Sequence, residues 1–307
     1  SLGRTSKGRA MRADPVRPPF LSAADVRALA AERALPLDAL VLELLLPWAA
    51  AYARPRISKF GVGAIALGLS GGLYAGANLE FLGESLSLSI HAEQAAVYNA
   101  WVHGEAGVTM IASTATPCGF CRQFLNELGT ATELRVAVLD HPPATLAGLL
   151  PAAFGPRNLG ISNRLMEPSG RSLALLQPDD DDPVTAAALA AACAAYAPYS
   201  GTYAGVGLRT ADGAVIQGRY AENAAFNPTL SPMQGALITL ALAGRPDAVV
   251  EEAVLVEAAE RATSRPDQPA ASQRASAAAV LAAVAPNVPL RYVRAVLGGD
   301  DRHDAGV

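Results

Sequence analysis

The sequence predicts an α/β fold in which a layered unit of strands and helices occurs twice. The first observation is that short apolar strand patterns alternate with helix-compatible runs from residue 60 onward. The second is that the order hairpin, helix, strand, helix, strand occurs at 61–139 and again at 205–296, which indicates an internal duplication. The third is size, because 307 residues with 51% hydrophobic content fit two modest domains better than one.

A helical leader, residues 18–53, is predicted ahead of the first unit. Ser22 followed by Asp25 has the pattern of a capping box before an apolar-periodic run. A second helix is predicted over 38–53. Residues 1–17 carry five basic side chains and one acidic one, and we expect them to form a disordered tail. An arm that binds nucleic acid is the less favoured alternative.

The first unit, residues 54–150, is predicted to begin with a hairpin and to continue with alternating helices and strands. The predicted strands are 61–67, 73–77, 108–113 and 134–139, and the predicted helices are 92–103 and 119–128. Residues 151–183 are rich in proline and glycine and are predicted to be a linker between domains, although an ordinary long loop fits equally well.

The second unit, residues 184–307, is predicted to repeat the pattern after an alanine-rich helix that starts at residue 184. The predicted hairpin is 205–208 with 218–220, the helices are 233–242 and 272–285, and the strands are 253–256 and 290–296. Residues 61–63 and 205–207, both Gly-Val-Gly, are predicted to be equivalent.

Composition argues against a nucleic-acid or membrane partner. The net charge is −4 and only 17% of residues are charged, so the overall field repels a phosphate backbone and fits a small-molecule substrate better. The apolar stretches 40–53 and 184–197 are shorter than the roughly 20 residues that cross a bilayer. The three cysteines are too few for a disulfide framework, which favours a cytoplasmic location.

Two motifs at predicted helix starts carry the chemistry. His91-Ala92-Glu93 precedes one helix, and Cys118 and Cys121 lie in a Pro-Cys-x-x-Cys motif before the next. Helix N-termini favour the thiolate form that zinc requires. One imidazole and two thiolates leave the fourth position of a tetrahedral zinc open, which is typical of catalysis.

Each motif alone is weak, because a Cys-x-x-Cys pair can be a redox centre and a single histidine is more often structural. Together, at a separation of about 25 residues, they form the signature of zinc-dependent deaminases. In that chemistry a carboxylate beside the metal, but not bound to it, moves the protons. Glu93 is therefore the predicted catalytic acid and base, with His91, Cys118 and Cys121 as the metal ligands.

The chain resembles the two-domain, homodimeric bacterial cytidine deaminases over nearly its whole length after the tail. The matching segments are FGVGAI (60–65), GANLEF (76–81), HAEQ (91–94), PCGFCRQ (117–123) and YAENAAFNP (220–228). The resemblance implies a duplicated three-layer α/β/α cytidine-deaminase-like core and one Zn²⁺ per chain. It also implies a homodimer that converts cytidine and 2′-deoxycytidine to uridine and 2′-deoxyuridine in pyrimidine salvage.

The resemblance also implies the substrate contacts. Asn78 and Glu80 would bind the ribose 3′-hydroxyl, Phe60 would stack near the pyrimidine, the backbone at Ala92 would contact the base, and Phe154 would reach the neighbouring subunit's site. Without the family, a turn residue at 78 and a solvated edge at 80 are equally good interpretations. Phe120 stands where the family commonly has histidine, which puts only contacts around the zinc ligands in doubt.

The second unit lacks the chemistry of the first. The predicted duplication places Pro232-Met233-Gln234 opposite the His91 motif, and no Cys-x-x-Cys follows. We therefore expect one active site per chain. Two alternatives stay open, a deaminase of nucleotides or polynucleotides and a non-enzymatic zinc-binding module.

Overall fold

The computed structural model describes residues 18–168, 171–177, 182–259 and 270–298. Within them the chain forms two mixed β-sheets with helices packed on their faces, which confirms the predicted α/β class and its duplication. The predicted tail, residues 1–17, lies outside the described residues. Among the residues described, no single helix is long and apolar enough to cross a membrane. One bent pair of helices, Ala23–Arg33 with Leu37–Tyr52, has the length and the apolar composition of a membrane span, but nothing beyond length and composition points to one.

The N-terminal leader contains the predicted capping box. Helix α1, Ala23–Arg33, begins where the Ser22 Oγ accepts from the Asp25 backbone N–H at 3.2 Å and the Asp25 carboxylate accepts from the Ser22 N–H at 3.1 Å. The predicted helix 38–53 is not continuous. Helix α2, Leu37–Leu44, passes into a π-helical turn, Leu45–Ala49, and then a 3₁₀ turn, Ala50–Tyr52. Pro47 lies in the π turn, where its missing N–H prevents a regular α-helical bond.

The first sheet has the strand order β1-β3-β2-β4-β5-β6, in which only β4 and β5 are parallel. Its strands are β1 (Phe20–Leu21), β2 (Gly63–Gly68), β3 (Leu73–Ala77), β4 (Val108–Ser113), β5 (Arg135–Val138) and β6 (Ala144–Thr145). The helices of this half are α3 (Ala92–Val102), α4 (Gly119–Leu125) and the short α5 (Leu146–Leu149). The predicted elements are all present with small changes at their ends, and β1 and β6 are additions.

The second sheet has the order β7-β11-β10-β8-β9, with β10 parallel to β11. Its strands are β7 (Leu173–Leu175), β8 (Thr202–Thr210), β9 (Val215–Arg219), β10 (Val250–Ala259) and β11 (Leu290–Leu297). The helices are α6 (Pro183–Cys193), α7 (Pro232–Leu242) and α8 (Arg274–Val284). Taken from β9 to β7, the five strands repeat the order β3-β2-β4-β5-β6 of the first sheet. Strand β7, which takes the place of β6, comes from the segment that was predicted to be a linker.

Two glycines fix how the halves correspond. A Cβ on Gly76 would lie 2.1 Å from the Ala96 nitrogen of α3, and a Cβ on Gly218 would lie 2.4 Å from the Ala236 nitrogen of α7. Each glycine therefore lets its hairpin lie directly on the first turns of the following helix. Because the hairpins pair residue 64 with 76 and residue 206 with 218, residue 63 corresponds to 205. The predicted match of 61–63 with 205–207 is wrong by two residues.

The helix starts are also one residue away from the predicted match. His91 is the N-cap residue of α3 and Ser231 is the N-cap residue of α7, each with a glutamine three positions later. Ser231 therefore corresponds to His91, and Met233 to Glu93, where the sequence comparison had placed Pro232 opposite His91. The conclusion that the second half lacks the ligand and the carboxylate is unchanged.

Candidate metal centre and active site

The ligand residues lie at two helix starts that meet at one edge of the first sheet. His91 is the N-cap residue of α3 and Glu93 is in its first turn. Cys118 is the N-cap residue of α4 and Cys121 is in its first turn, after the loop that follows β4. A three-residue spacing on a helix brings Cys118 and Cys121 to one side. The sequence thus delivers all four side chains to a single place.

The donor atoms have the spacing that a tetrahedral zinc needs. The His91 Nδ1 lies 3.4 Å from the Cys118 Sγ and 3.2 Å from the Cys121 Sγ, and the three donor atoms lie within 4.8 Å of one another. Two donors bound to one tetrahedral zinc at the usual bond lengths are about 3.5 Å apart. The predicted ligand set therefore fits a zinc ion. Among the residues described, it is the one His, Cys, Asp and Glu cluster of this kind.

Electrostatics differ sharply between the two thiols. Hydrogen bonds with Cys121 and His91 lower the pKa of Cys118 to about 3, which makes it a thiolate at neutral pH. The hydrogen bond to Cys118 and burial raise the pKa of Cys121. Glu93 is only 4% exposed, and burial raises its pKa. The Cys121 thiol donates to a Glu93 carboxylate oxygen at 3.3 Å, so Glu93 touches the donor cluster.

A cavity of about 210 Å³ opens in front of this cluster. His91, Ala92, Glu93 and Cys118 line it. The predicted substrate residues Phe60, Asn78 and Glu80 also line it. Thr116, which the sequence interpretation did not single out, contributes as well because it immediately precedes the Pro-Cys motif.

Asn78 holds the loop that carries Phe60. Its Oδ1 accepts from the Val62 N–H at 2.9 Å, and its Nδ2 donates to the Phe60 carbonyl at 3.0 Å. The Asn78 Nδ2 also donates to the Glu80 Oε1 at 3.5 Å, so the amide keeps a lone pair on its Oδ1 for a sugar hydroxyl. Phe60 itself is 62% exposed at the cavity mouth, where a planar ligand could cover it.

Glu80 is not a solvated edge residue. Its carboxylate accepts from the N–H groups of Ile57 and Ser58, both at 2.7 Å, and from the Ser58 hydroxyl at 2.5 Å. The second half repeats this arrangement, since Glu222 accepts from the N–H groups of residues 199 and 200 and from the Ser200 hydroxyl. The repeated Ser and Glu pair was visible in the sequence once the halves were aligned in the correct register, and it indicates that Glu80 shapes the loop.

Phe120 and Phe154, the two other aromatic residues of the sequence interpretation, do not line the cavity. Phe120 packs beside the His91 imidazole, with ring centroids 5.5 Å apart, where it limits access to that face. Phe154 is not among the residues that line this cavity. Its carbonyl accepts from Gln123 and Asn126, which fixes the backbone while the residue stays 47% exposed. Within one chain, the structure therefore brings together every predicted site residue except Phe154.

Fold and site together define a duplicated α/β protein whose first half carries a three-ligand zinc centre beside a buried carboxylate. Family models described as the cytidine and deoxycytidylate deaminase zinc-binding region match residues 41–137 and 146–269. A cytidine deaminase of Sodalis glossinidius (strain morsitans) is 47% identical over 248 residues, which span 78% of this chain and 80% of that protein. A cytidine deaminase of Aeromonas hydrophila is 50% identical over 240 residues, with 78% and 81% covered. The chain belongs to the cytidine and deoxycytidylate deaminase family.

Solved structures of cytidine deaminases are also similar to this chain. The cytidine deaminase from Mycobacterium tuberculosis is 36% identical, with a TM-score of 0.35, and the match covers 38% of this chain and 96% of that one. The cytidine deaminase from Burkholderia pseudomallei is 30% identical, with a TM-score of 0.34, and the match covers 38% and 98%.

Proposed function

We propose that this protein is a zinc-dependent hydrolase that converts cytidine and 2′-deoxycytidine, with one water, to uridine and 2′-deoxyuridine plus ammonia. The observation that carries the proposal is the buried Glu93 carboxylate in contact with the His91, Cys118 and Cys121 cluster at the base of a cavity. Relatives named cytidine deaminase, at 47% and 50% identity, support the choice of substrate.

In the proposed reaction Glu93 moves the protons. A bound zinc supplies a water molecule whose pKa lies near neutrality. The Glu93 carboxylate would take a proton from that water and deliver it to ring N3 while the water oxygen bonds to C4. It would then move the proton of the new C4 hydroxyl to the 4-amino group, so that the C4–N bond breaks, ammonia leaves and the C4 carbonyl forms. Burial keeps bulk water from competing for these protons.

The cavity walls would orient the nucleoside. We propose that the remaining lone pairs of Asn78 and Glu80 accept from the ribose 3′-hydroxyl, that the exposed ring of Phe60 stacks near the pyrimidine, and that the Ala92 backbone contacts the base. The Glu80 carboxylate would repel a phosphate close to the sugar, which favours a nucleoside over a nucleotide.

The assembly and location of the protein are also part of the proposal. We propose a cytoplasmic homodimer that acts in pyrimidine salvage, with the Phe154 ring of each chain reaching the partner's cavity. The exposed ring of Phe154, held by its backbone, supports this arrangement. We further propose a catalytic domain over 54–150 and a non-catalytic domain over 184–307, to whose sheet the preceding segment adds strand β7. Light scattering tests the dimer, and a Phe154→Ala variant should raise KM if the ring reaches a site.

The decisive experiment measures ammonia release and the loss of cytidine absorbance by the purified, zinc-loaded protein. Turnover should disappear with a chelator and return with zinc. Glu93→Gln should retain one zinc and lose at least about 100-fold in kcat. Glu105→Gln, which changes a buried carboxylate of the same half outside the cavity, is the matched control. Inactivity of the wild type at high enzyme concentration would contradict the proposal.

A transition-state analogue separates an enzyme from a zinc module without turnover. Tetrahydrouridine should bind the wild-type protein much more tightly than cytidine, because an assembled catalytic site is complementary to the hydrated ring. If calorimetry detects no binding while zinc is fully retained, the zinc has a structural role only.

A further inference from the structure

Two buried glutamines cross between the halves in opposite directions. Gln94, three residues into α3, donates from its Nε2 to the Pro228 carbonyl of the second half at 3.3 Å. Gln234, three residues into α7, donates from its Nε2 to the Leu88 carbonyl of the first half at 2.8 Å. Leu88 lies three residues before one N-cap and Pro228 three residues before the other. The two bonds are therefore related by the internal duplication.

The two halves use these bonds differently because their N-cap residues differ. The Ser231 hydroxyl accepts from the Gln234 N–H at 3.3 Å, so α7 has a side-chain cap of its own. The His91 side chain is instead turned toward Cys118 and Cys121. Its backbone N–H donates to the Gln94 Oε1 at 3.3 Å, as the Ser231 N–H donates to the Gln234 Oε1 at 2.8 Å, so the halves differ only in the side-chain cap. The ligand-bearing turn thus depends on the glutamines for its position.

Residues 82–89, which lead toward His91, include no buried side chain. They contain a 3₁₀ turn, Leu86–Leu88, and Leu82 and Leu86 are exposed. Ile90, next to His91, forms an isolated β-bridge with Leu79. The Gln234 side chain donates to the carbonyl of Leu88, two residues before Ile90. A direct bond from a buried amide of the second half therefore fixes the approach of the chain to the ligand.

The other ligand-bearing segment is attached to the second half as well. The fully buried Asn223 donates from its Nδ2 to the carbonyl of Gln123, two residues after Cys121, at 3.0 Å. Close to it, the Ala224 N–H donates to the buried Glu127 carboxylate at 3.0 Å. The second half thus contacts both the segment that leads into His91 and the helix that carries Cys121.

We propose that the half without catalytic residues is a positioning element for the metal ligands, and that Gln234 and Asn223 are its positioning residues. The inference rests on the proposed zinc centre. Neither residue touches a donor atom; each acts through the backbone of a ligand-bearing segment. Groups that orient metal ligands typically change metal affinity by about 10- to 100-fold when they are removed.

The test is the rate at which zinc passes from the full-length, zinc-loaded protein to a coloured chelator, under conditions where the protein stays folded. Gln234→Met keeps the size of the side chain and removes both the bond to the Leu88 carbonyl and the bond from the Ser231 N–H. We expect zinc release to be about tenfold faster than in the wild type. Ser231→Ala is the matched control, because it removes the cap of the same helix but keeps the bond from Gln234 to Leu88. It should lose similar stability in urea and release zinc at the wild-type rate.

A second variant keeps the proposal testable if Gln234→Met does not fold. Asn223→Asp preserves shape but replaces the donor that faces the Gln123 carbonyl with an acceptor, and it should also accelerate zinc release by about tenfold. Release rates equal to that of Ser231→Ala in the folded variants would overturn the proposal. A wild-type protein that holds no zinc would instead overturn the proposed function.

Discussion

Replacing Gly76 by alanine would place a methyl group against the backbone of α3. The added Cβ would lie 2.1 Å from the Ala96 nitrogen and 2.4 Å from the Ala92 carbonyl oxygen. Both distances are at least about 1 Å short of ordinary van der Waals contact. The opposing atoms belong to the helix backbone and cannot rotate away, so α3 must move off the sheet.

The size of the effect follows from what the helix carries. Overpacking of a tight interior typically costs about 1–3 kcal/mol of unfolding free energy. Ala92 is the neighbour of both His91 and Glu93, so a shift of the first turn moves a ligand and the proton carrier together. A misplacement of about 1 Å can reduce turnover by about 100-fold. We therefore expect Gly76→Ala to lose both stability and kcat.

Gly218→Ala provides the comparison, because its Cβ would lie 2.0 Å from the Pro232 carbonyl oxygen of α7. It should lose a similar unfolding free energy in urea, but its kcat should fall by less than about tenfold, since α7 carries no catalytic group. Urea titration and cytidine turnover, measured on both variants, decide the matter. Equal losses of kcat would refute the reasoning.

Three further predictions follow from pairs of equivalent or adjacent groups. Glu80→Gln and Glu222→Gln should both lower stability in urea, because one amide oxygen cannot accept from all the donors around each carboxylate, but only Glu80→Gln should raise KM for cytidine. A hydrogen bond from Arg135 lowers the pKa of Asp38. The stabilisation from this ion pair is therefore present above the pKa of Asp38 in the unfolded chain and is lost as pH falls through the lower pKa of the folded state. Between pH 6 and pH 3, the unfolding free energy of Asp38→Asn should fall less than that of the wild type, by a difference under about 1 kcal/mol. Asp182→Ala should cost about 1 kcal/mol in urea because the N-cap of α6 is lost, whereas Asp182→Asn should retain most of it.

The metal ligands were predictable from sequence because their positions depend on local rules. His91 and Cys118 each stand immediately before an apolar helical run, and a helix start fixes the direction of the next few side chains whatever lies elsewhere. The longer strands and helices were predictable for the same reason. Their hydrophobic periods are strong enough to identify them without knowledge of their partners.

The features that were not predicted depend on tertiary partners. Strands β1, β6 and β7 have two or three residues each and exist because an exposed strand edge was available to them. The hydrogen bonds of Glu80 to residues 57 and 58 join groups 22 and 23 positions apart, which no local period reveals. The correspondence of the halves needed the close approach of Gly76 and Gly218 to their helices.

Strand β7 occupies in the second sheet the position that β6 occupies in the first, and this matters for expressing the second half as a fragment. A fragment that started at residue 184 would lack the strand that covers β11, and the free N–H and C=O groups of that edge would invite pairing between molecules. A fragment that started before residue 171 would bring its own covering strand. The two sheets are therefore alike in arrangement, but the edge strand of the first comes from the C-terminal end of its unit and that of the second from the N-terminal end.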